Sequence, residues 1–403
     1  MTDLFEHADT RMNAAINDIA AAIADTTLTK KTLFARMADV FGTGSADGAW
    51  SQRDAYDLLE AGLAKHLAST HCSPALSDIG PIGELVKRLP THTVRSEDQI
   101  RYQQFSTPAD LAALAVILAQ PRSSDIVLEP SAGHGSLVAM LPAVAELHCN
   151  ELDPKRRSKL EILFPNATIT GFDGAMLTAL TDPALRPTLI LMNPPFSRSQ
   201  GRGVDQLAAV RHLRSALAKL APGGRCVAIM PDWFTTRAKL GRMYDETFAN
   251  CTVQTSYRLE RCYHKQGTSV SVRLLVIDKV PGTIRPSVIA RQTVQELADC
   301  VRPVKRSAIT GEGTKPMIRS APKPTSLFRA MRAKPKAHPK PTRKPVTQQV
   351  IEVGYGTLET PRALGEQSGV YVPYRPSRID IAGAKEHPTP LVESVAMGSI
   401  PAP

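Results

Sequence analysis

Ile126-Val-Leu-Glu-Pro-Ser-Ala-Gly-His-Gly-Ser-Leu137 reads as an apolar strand ending at Glu129, a tight loop of small residues, and the start of a helix over 135–143. Gly133 and Gly135 let the backbone turn sharply and let a ligand approach the main chain. The third glycine of a dinucleotide fingerprint is missing and Pro130 sits inside the loop, so this stretch alone leaves packing and ligand binding both open. His134, between the two glycines, is read as a spacer.

The same alternation continues outward over 105–280. Strands are expected at 126–129, 146–150, 168–171, 188–192 and 225–230, followed by a hairpin-like pair at 252–259 and 269–278 around a loop with Gly267. Helical runs at 108–119, 135–143, 155–163 and 205–220 separate them. Strands alternating with helices imply a mostly parallel sheet covered on both faces, here ending in an antiparallel hairpin.

Spacing then singles out the strand ends. Glu151 lies 22 residues after Glu129, Asp173 another 22 on, and Asn193 another 20, each just past an expected strand. In an open parallel sheet such positions line one crevice, where ligands bind. One carboxylate there is commonly a helix cap; three in register suit the hydroxyl and amino donors of a nucleoside. At the fourth strand end stands Leu191-Met-Asn-Pro-Pro-Phe196. Two prolines remove two N–H donors and hold the chain extended. That turn presents the Asn193 side-chain oxygen and the Pro194 carbonyl as acceptors beside the ring of Phe196, which fits a planar group bearing an exocyclic NH2.

These residues resemble the amino-methyltransferases that use S-adenosylmethionine, most closely the DNA adenine-N6 group in which the cofactor motif precedes the catalytic one. The resemblance covers roughly 100–280. Gln104-Phe-Ser-Thr-Pro108 is similar to that group's upstream cofactor motif, 129–135 to its glycine loop, and 193–196 to its (D/N)PP(Y/F) motif. The resemblance implies an α/β, Rossmann-like class I methyltransferase fold with a mostly parallel seven-stranded sheet. It implies a cofactor site of Thr107, Pro108, Glu129, Pro130, Ser131, Gly133, Gly135, Glu151 and Asp173. Within it Glu151 would bind the ribose hydroxyls, Asp173 the adenine amine, and backbone at 107–108 and 131–135 the methionine portion. Asn193, Pro194, Pro195 and Phe196 would form the catalytic set, and Phe in place of Tyr loses only a hydroxyl.

A narrower resemblance links Tyr263-His-Lys-Gln-Gly-Thr268, Val272-Arg-Leu-Leu-Val-Ile-Asp278 and His387-Pro-Thr-Pro-Leu-Val-Glu-Ser394 to phage and plasmid methylase–helicase proteins of the defence-against-restriction type. It implies DNA as substrate, an antirestriction role, and a strawberry notch-like helicase as partner. No GxxxxGK(S/T) phosphate loop occurs, since 311–315 (GEGTK) has the wrong spacing. The chain is therefore expected to be a methylase half, truncated or encoded separately from the helicase. Two rival readings stand beside this one. NPP(F/Y) also serves RNA bases and protein glutamines, and a catalytically silent DNA-binding antirestriction protein would keep only the fold.

Composition sets the outer bounds. Of 403 residues, 42% are hydrophobic and 22% charged, ordinary usage for a soluble globular protein. No run of 18 apolar residues occurs, which excludes a transmembrane helix, and Asp3, Glu6 and Asp9 exclude a signal peptide. Cys72, Cys149, Cys226, Cys251, Cys262 and Cys300 form no CxxC pair, so reduced buried thiols, no metal and a cytoplasmic setting in a bacterium (or encoded by its phage or plasmid) are expected. The net charge of +11 is local: 302–344 holds 13 Lys or Arg and one acid, leaving the remainder near neutral. Four segments result: a helical N-terminal subdomain (1–100) with a flexible break at 42–50, the methyltransferase domain (101–300), a disordered basic Pro/Lys-rich linker (301–345) and a C-terminal segment (346–403). Such a linker suits phosphate contact.

Overall fold

Short apolar runs such as Ile126-Val-Leu128 and Leu189-Ile-Leu-Met192 become the central strands. The computed structural model describes residues 2–25, 28–91, 106–196, 198–199, 203–236, 241–260, 262–263, 270–282 and 286–306. Every described residue belongs to one compact unit, which lies within Met1–Arg319. Gln104, 264–269, His387 and nearly all of the basic and C-terminal segments lie outside the described residues.

The strands are β1 (Ile126–Glu129), β2 (Glu146–Asn150), β3 (Thr168–Thr170), β4 (Leu189–Met192), a small separate pair β5 (Arg198–Ser199) and β6 (Gly203–Val204), β7 (Arg225–Pro231), β8 (Thr252–Leu259), β9 (Val272–Asp278) and β10 (Val288–Arg291). The main sheet runs in the order β10-β8-β9-β7-β4-β1-β2-β3. Every residue of β4, β7 and β9 is buried, as strands covered on both faces require. In this sheet only β9 runs against its neighbours, so the carboxyl ends of the other strands share one edge. Strand order reverses between β1 and β4, which opens a crevice at that edge.

The mostly parallel sheet with its antiparallel pair agrees with the expected fold, but it has eight strands, not seven. The extra strand, β10, pairs in parallel with β8 at the sheet margin, and its Val288 and Ile289 are exposed. The helix expected over 135–143 is absent. Gly135 has φ +79°, outside the right-handed helical region, and Pro142 closes the segment, so it forms successive hydrogen-bonded turns instead.

The helices are α1 (Thr2–Asp25), α2 (Lys30–Phe41), α3 (Gln52–Thr70), α4 (Ile79–Arg88), α5 (Ala109–Ala119), α6 (Pro154–Leu163), α7 (Leu177–Leu180), α8 (Ala208–Lys219), α9 (Gly241–Thr247) and α10 (Val294–Ala298). Capping boxes at Thr29 and Ser51 start α2 and α3. The break at 42–50 is ordered: Gly42 and Gly48 take left-handed conformations, and buried Trp50 donates its indole N–H to Thr43 O at 2.8 Å. α1 crosses α3 closely at Gly62, where a Cβ would stand 2.6 Å from Ile19.

One apolar cluster runs from Ile16, Ile19 and Leu33 through Leu59 to Leu111, Val127, Leu191 and Val276. The N-terminal helices therefore share a core with the sheet. Each such fully buried aliphatic side chain stabilises the fold by about 1.5–3 kcal/mol. A second cluster, with Ile190, Met192, Leu213 and Phe234, covers the other face.

Two buried arginines tie the amino edge of the sheet. Arg225 forms a two-pronged pair with Asp278 (2.7 and 3.0 Å) and donates to Leu118 O and Val304 O. Arg306 forms another with Asp125 (2.5 and 2.7 Å) and donates to Thr188 O at 2.7 Å. Residues 301–306, expected as the start of the linker, are thus packed against the sheet. The six cysteines are free, but Cys72 and Cys300 are exposed and Cys262 is half-buried, so burial holds for only three of them. Among the described residues, no helix is long and apolar enough to cross a membrane.

Candidate active site

The loop after β1 is shaped by its glycines and held from beneath by Asn150. Gly133 and Gly135 have φ +58° and +79°. At Gly135 a Cβ would also lie 2.4 Å from the Phe164 ring, so conformation and space both demand glycine. The buried Asn150 amide donates to Pro130 O (3.0 Å) and Phe172 O (2.8 Å), and its oxygen accepts from Phe172 N and Thr170 Oγ1. All of its hydrogen-bonding capacity is used, which binds the ends of β1, β2 and β3 into one platform. Sequence reasoning passed over Asn150 because its partners, backbone groups and the Thr170 hydroxyl, come from distant parts of the chain.

The three carboxylates do reach one edge, in different states. Glu151 accepts from Gly133 N (2.7 Å) and Asp153 N (2.8 Å), so it braces the glycine loop; burial raises its pKa despite Arg156 and these two amides. Asp173 caps the short turn Gly174–Met176, accepting from Ala175 N at 2.9 Å. His212 of α8 stands 3.7 Å from Asp173 and 3.5 Å from Ser131 Oγ, and burial pushes its pKa down to about 4. Glu129 differs from both. It is 2% exposed, its Oε2 has no hydrogen-bond partner, and burial, with the charge of Glu151 added, lifts its pKa well above the usual range. A buried carboxylate oxygen without a partner suits a cationic or hydrogen-bonding ligand.

Beyond β4, Asn193 is half-buried and its amide nitrogen donates to Thr107 Oγ1 and to the Tyr263 hydroxyl, both at 3.0 Å. Both amide hydrogens are thereby engaged, and the carbonyl oxygen remains as an acceptor. Pro194 is buried, while Pro195 and Phe196 are half-buried, and the Phe196 side chain packs against both apolar clusters. The platform expected from Phe196 is therefore partly sunk in the core. Pro108 precedes α5, and its carbonyl accepts from Ala112 N at 2.8 Å. The structure thus gathers Thr107 from before α5, Asn193 after β4 and Tyr263 after β8. Tyr263 is 3% exposed, and burial holds its hydroxyl well above the usual tyrosine range. It begins a stretch that the narrower resemblance singled out, but its role at the site was not legible, because its partner Asn193 lies 70 residues away along the chain.

The N-terminal helices back the glycine loop with charge. His134 is 1% exposed, and its Nε2 lies 3.5 Å from Asp57 of α3. Burial, with Arg156 and Lys159 of α6 beside it, pushes its pKa well down. Arg53 of α3 reaches Asp153 at 3.4 Å. Half-buried Glu60, also on α3, has its pKa lifted to about 7 by burial against the pull of Arg156. Among the described residues no cluster of three or more His, Cys, Asp or Glu side chains could hold a metal ion.

No family model matches the chain, and no curated protein matches it. Among solved structures it is similar to the methyltransferase subunit of a type I restriction-modification system from Streptococcus thermophilus, at 14% identity over 70% of this chain and 87% of that one, with a TM-score of 0.39. It is similar to a modification subunit assigned to a type I restriction enzyme from Vibrio vulnificus YJ016, at 16% identity over 56% of this chain, with a TM-score of 0.40. The match spans 57% of the Vibrio chain's length. A protein from Listeria monocytogenes assigned as a class I S-adenosylmethionine-dependent methyltransferase matches at 12% identity over 71% of this chain and 93% of that one, with a TM-score of 0.40. At such values these likenesses transfer no role to individual residues.

Proposed function

We propose that this chain binds S-adenosylmethionine in the crevice between β1 and β4 and transfers its methyl group to an exocyclic amine, adenine N6 in DNA. The observation that carries the reading is the Asn193 amide, whose two hydrogens are engaged by Thr107 and Tyr263 while its oxygen stays available. The residues fit the cofactor. Glu129 brings a buried, unpartnered oxygen to the crevice, the left-handed glycines leave main chain open to close approach, and Glu151 and Asp173 follow on the next strand ends. Thr107, Pro108, Pro130, Ser131, Gly133 and Gly135 complete the set that would hold it. Bound there, S-adenosylmethionine supplies a methyl group activated by its sulfonium centre.

An exocyclic amine is a poor nucleophile because its lone pair conjugates with the ring. Hydrogen bonds from its two protons to Asn193 Oδ1 and the Pro194 carbonyl favour the pyramidal form and aim the lone pair. Positioning and fixed dipoles then provide most of the acceleration, without a general base before transfer. In duplex DNA the base must leave the stack to reach Phe196.

The basic character of 302–344 supports a nucleic-acid substrate. A bacterial or phage-borne role in protection against restriction, with a separately encoded strawberry notch-like helicase as partner, completes the proposal. Tritiated methyl transfer to unmethylated DNA, RNA and bacterial protein tests it: label in DNA supports the reading, and label confined to RNA or protein replaces it.

A further inference from the structure

We infer that Tyr263, with Thr107, fixes which face of the Asn193 amide meets the acceptor amine, and that Tyr263 is thereby a positioning residue for the reaction. The inference rests on the methyl-transfer reading above. A side-chain amide has two ends of similar shape and opposite hydrogen-bonding sense. Only the carbonyl end can accept protons from an exocyclic amine. Turned by half a rotation, Asn193 would present donors to donors.

The neighbours decide the sense. Asn193 Nδ2 lies 3.0 Å from Thr107 Oγ1 and 3.0 Å from the Tyr263 hydroxyl. With the amide as found, its nitrogen supplies one hydrogen to each oxygen, and the carbonyl end is turned away from both hydroxyls. With the amide reversed, Asn193 Oδ1 would draw both hydroxyl hydrogens. Its carbonyl end would then be spent on Thr107 and Tyr263, and its own hydrogens would be turned toward the acceptor amine.

Burial makes that error costly. Tyr263 is 3% and Thr107 8% exposed, so water has little access to repair a mispaired arrangement. The partners come from segments 86 and 70 residues away from Asn193 along the chain, so only the folded sheet edge assembles them. Because burial holds the Tyr263 hydroxyl protonated, it stays both donor and acceptor at any working pH.

The test compares methyl transfer from S-adenosylmethionine to unmethylated DNA by four full-length proteins: wild type, Tyr263→Phe, Asn193→Asp and the double variant. A carboxylate offers an oxygen on either side and needs no orienting. Tyr263→Phe is expected to lower kcat at least tenfold in the Asn193 protein, with KM for S-adenosylmethionine within twofold. In the Asn193→Asp background the same change is expected to cost less than threefold. Equal losses in both backgrounds, or no loss in the Asn193 protein, overturn the inference. If Asn193→Asp is inactive, hydrogen exchange of the Asn193 side-chain amide decides: at least tenfold faster exchange in Tyr263→Phe supports the wiring, and an unchanged rate overturns it. A wild-type protein that labels no acceptor overturns the methyl-transfer reading itself, a result distinct from a Tyr263→Phe protein that matches wild type.

Discussion

Replacing Arg306 by Met should destabilise the sheet domain although residue 306 lies in the stretch that composition assigns to a linker. Arg306 is 2% exposed and Asp125 is fully buried. The substitution removes both prongs on Asp125 and the bond to Thr188 O, and it leaves Asp125 with only the Thr188 hydroxyl (2.7 Å) and Arg122 N (2.7 Å). Breaking a buried pair by removing one partner costs about 3–5 kcal/mol, because the remaining charge is uncompensated. At about 2 °C per kcal/mol, the low end suited to a large unit, Tm should fall by about 6–10 °C.

The pH dependence has a definite sign. Burial alone would raise the Asp125 pKa, but the bonds from Arg306 and Thr188 outweigh it and hold the carboxyl below its ordinary value. The pair's contribution is therefore complete above the ordinary aspartate range and is lost as pH falls through the lowered folded value. In Arg306→Met, burial wins and Asp125 is more easily protonated. The gap between variant and wild type should be widest near neutrality and should narrow below about pH 4. Thermal unfolding at pH 7 and pH 4 measures both. A Tm within 2 °C of wild type at pH 7, or a gap that widens on acidification, would refute the reasoning.

Three further outcomes are expected. Glu151→Ala frees the amides of Gly133 and Asp153 and should weaken S-adenosylmethionine binding by about 1.5–3 kcal/mol, the range for hydrogen bonds to a charged group; unchanged affinity by calorimetry would contradict the site. Asn193→Ala should abolish transfer while leaving cofactor affinity within about twofold, whereas Phe196→Ala, losing stacking of about 1–3 kcal/mol, should retain measurable turnover. Deleting 307–345, which spares the packed residues 302–306, should lower DNA affinity at low salt without changing sequence preference, and the difference should vanish as salt rises. Equal low-salt affinity in the deleted protein would make the segment a spacer only.

Where the chain's own pattern decided structure, the sequence could be read closely. β1 and β2 have the bounds expected of them, and α5, α6 and α8 lie within a few residues of their expected stretches. Elements governed by partners far along the chain were not legible. β10 has the length of a loop and gains its strand form only by pairing with β8. Residues 302–306 look like linker until Arg306 finds Asp125, 181 residues away. At the site, the carboxylate register and the Asn193 motif were visible because they recur once per βα unit. The bracing of Gly133 by Glu151 and the Tyr263 contact were not, since each depends on backbone or hydroxyls brought in by the fold. The charged layer of Arg53, Asp57 and Glu60 on α3 is set behind the glycine loop only by the shared core, which no local pattern announces.

The central claim is that Asn193 directs a methyl group onto an exocyclic amine of DNA. The most direct measurement incubates the full-length protein with methyl-deuterated S-adenosylmethionine and unmethylated DNA, digests the product to nucleosides and identifies the labelled base by mass. The account predicts deuterated N6-methyladenine from wild type and none from Asn193→Ala. Label in another base, or no label from a wild-type protein that binds the cofactor, would contradict it.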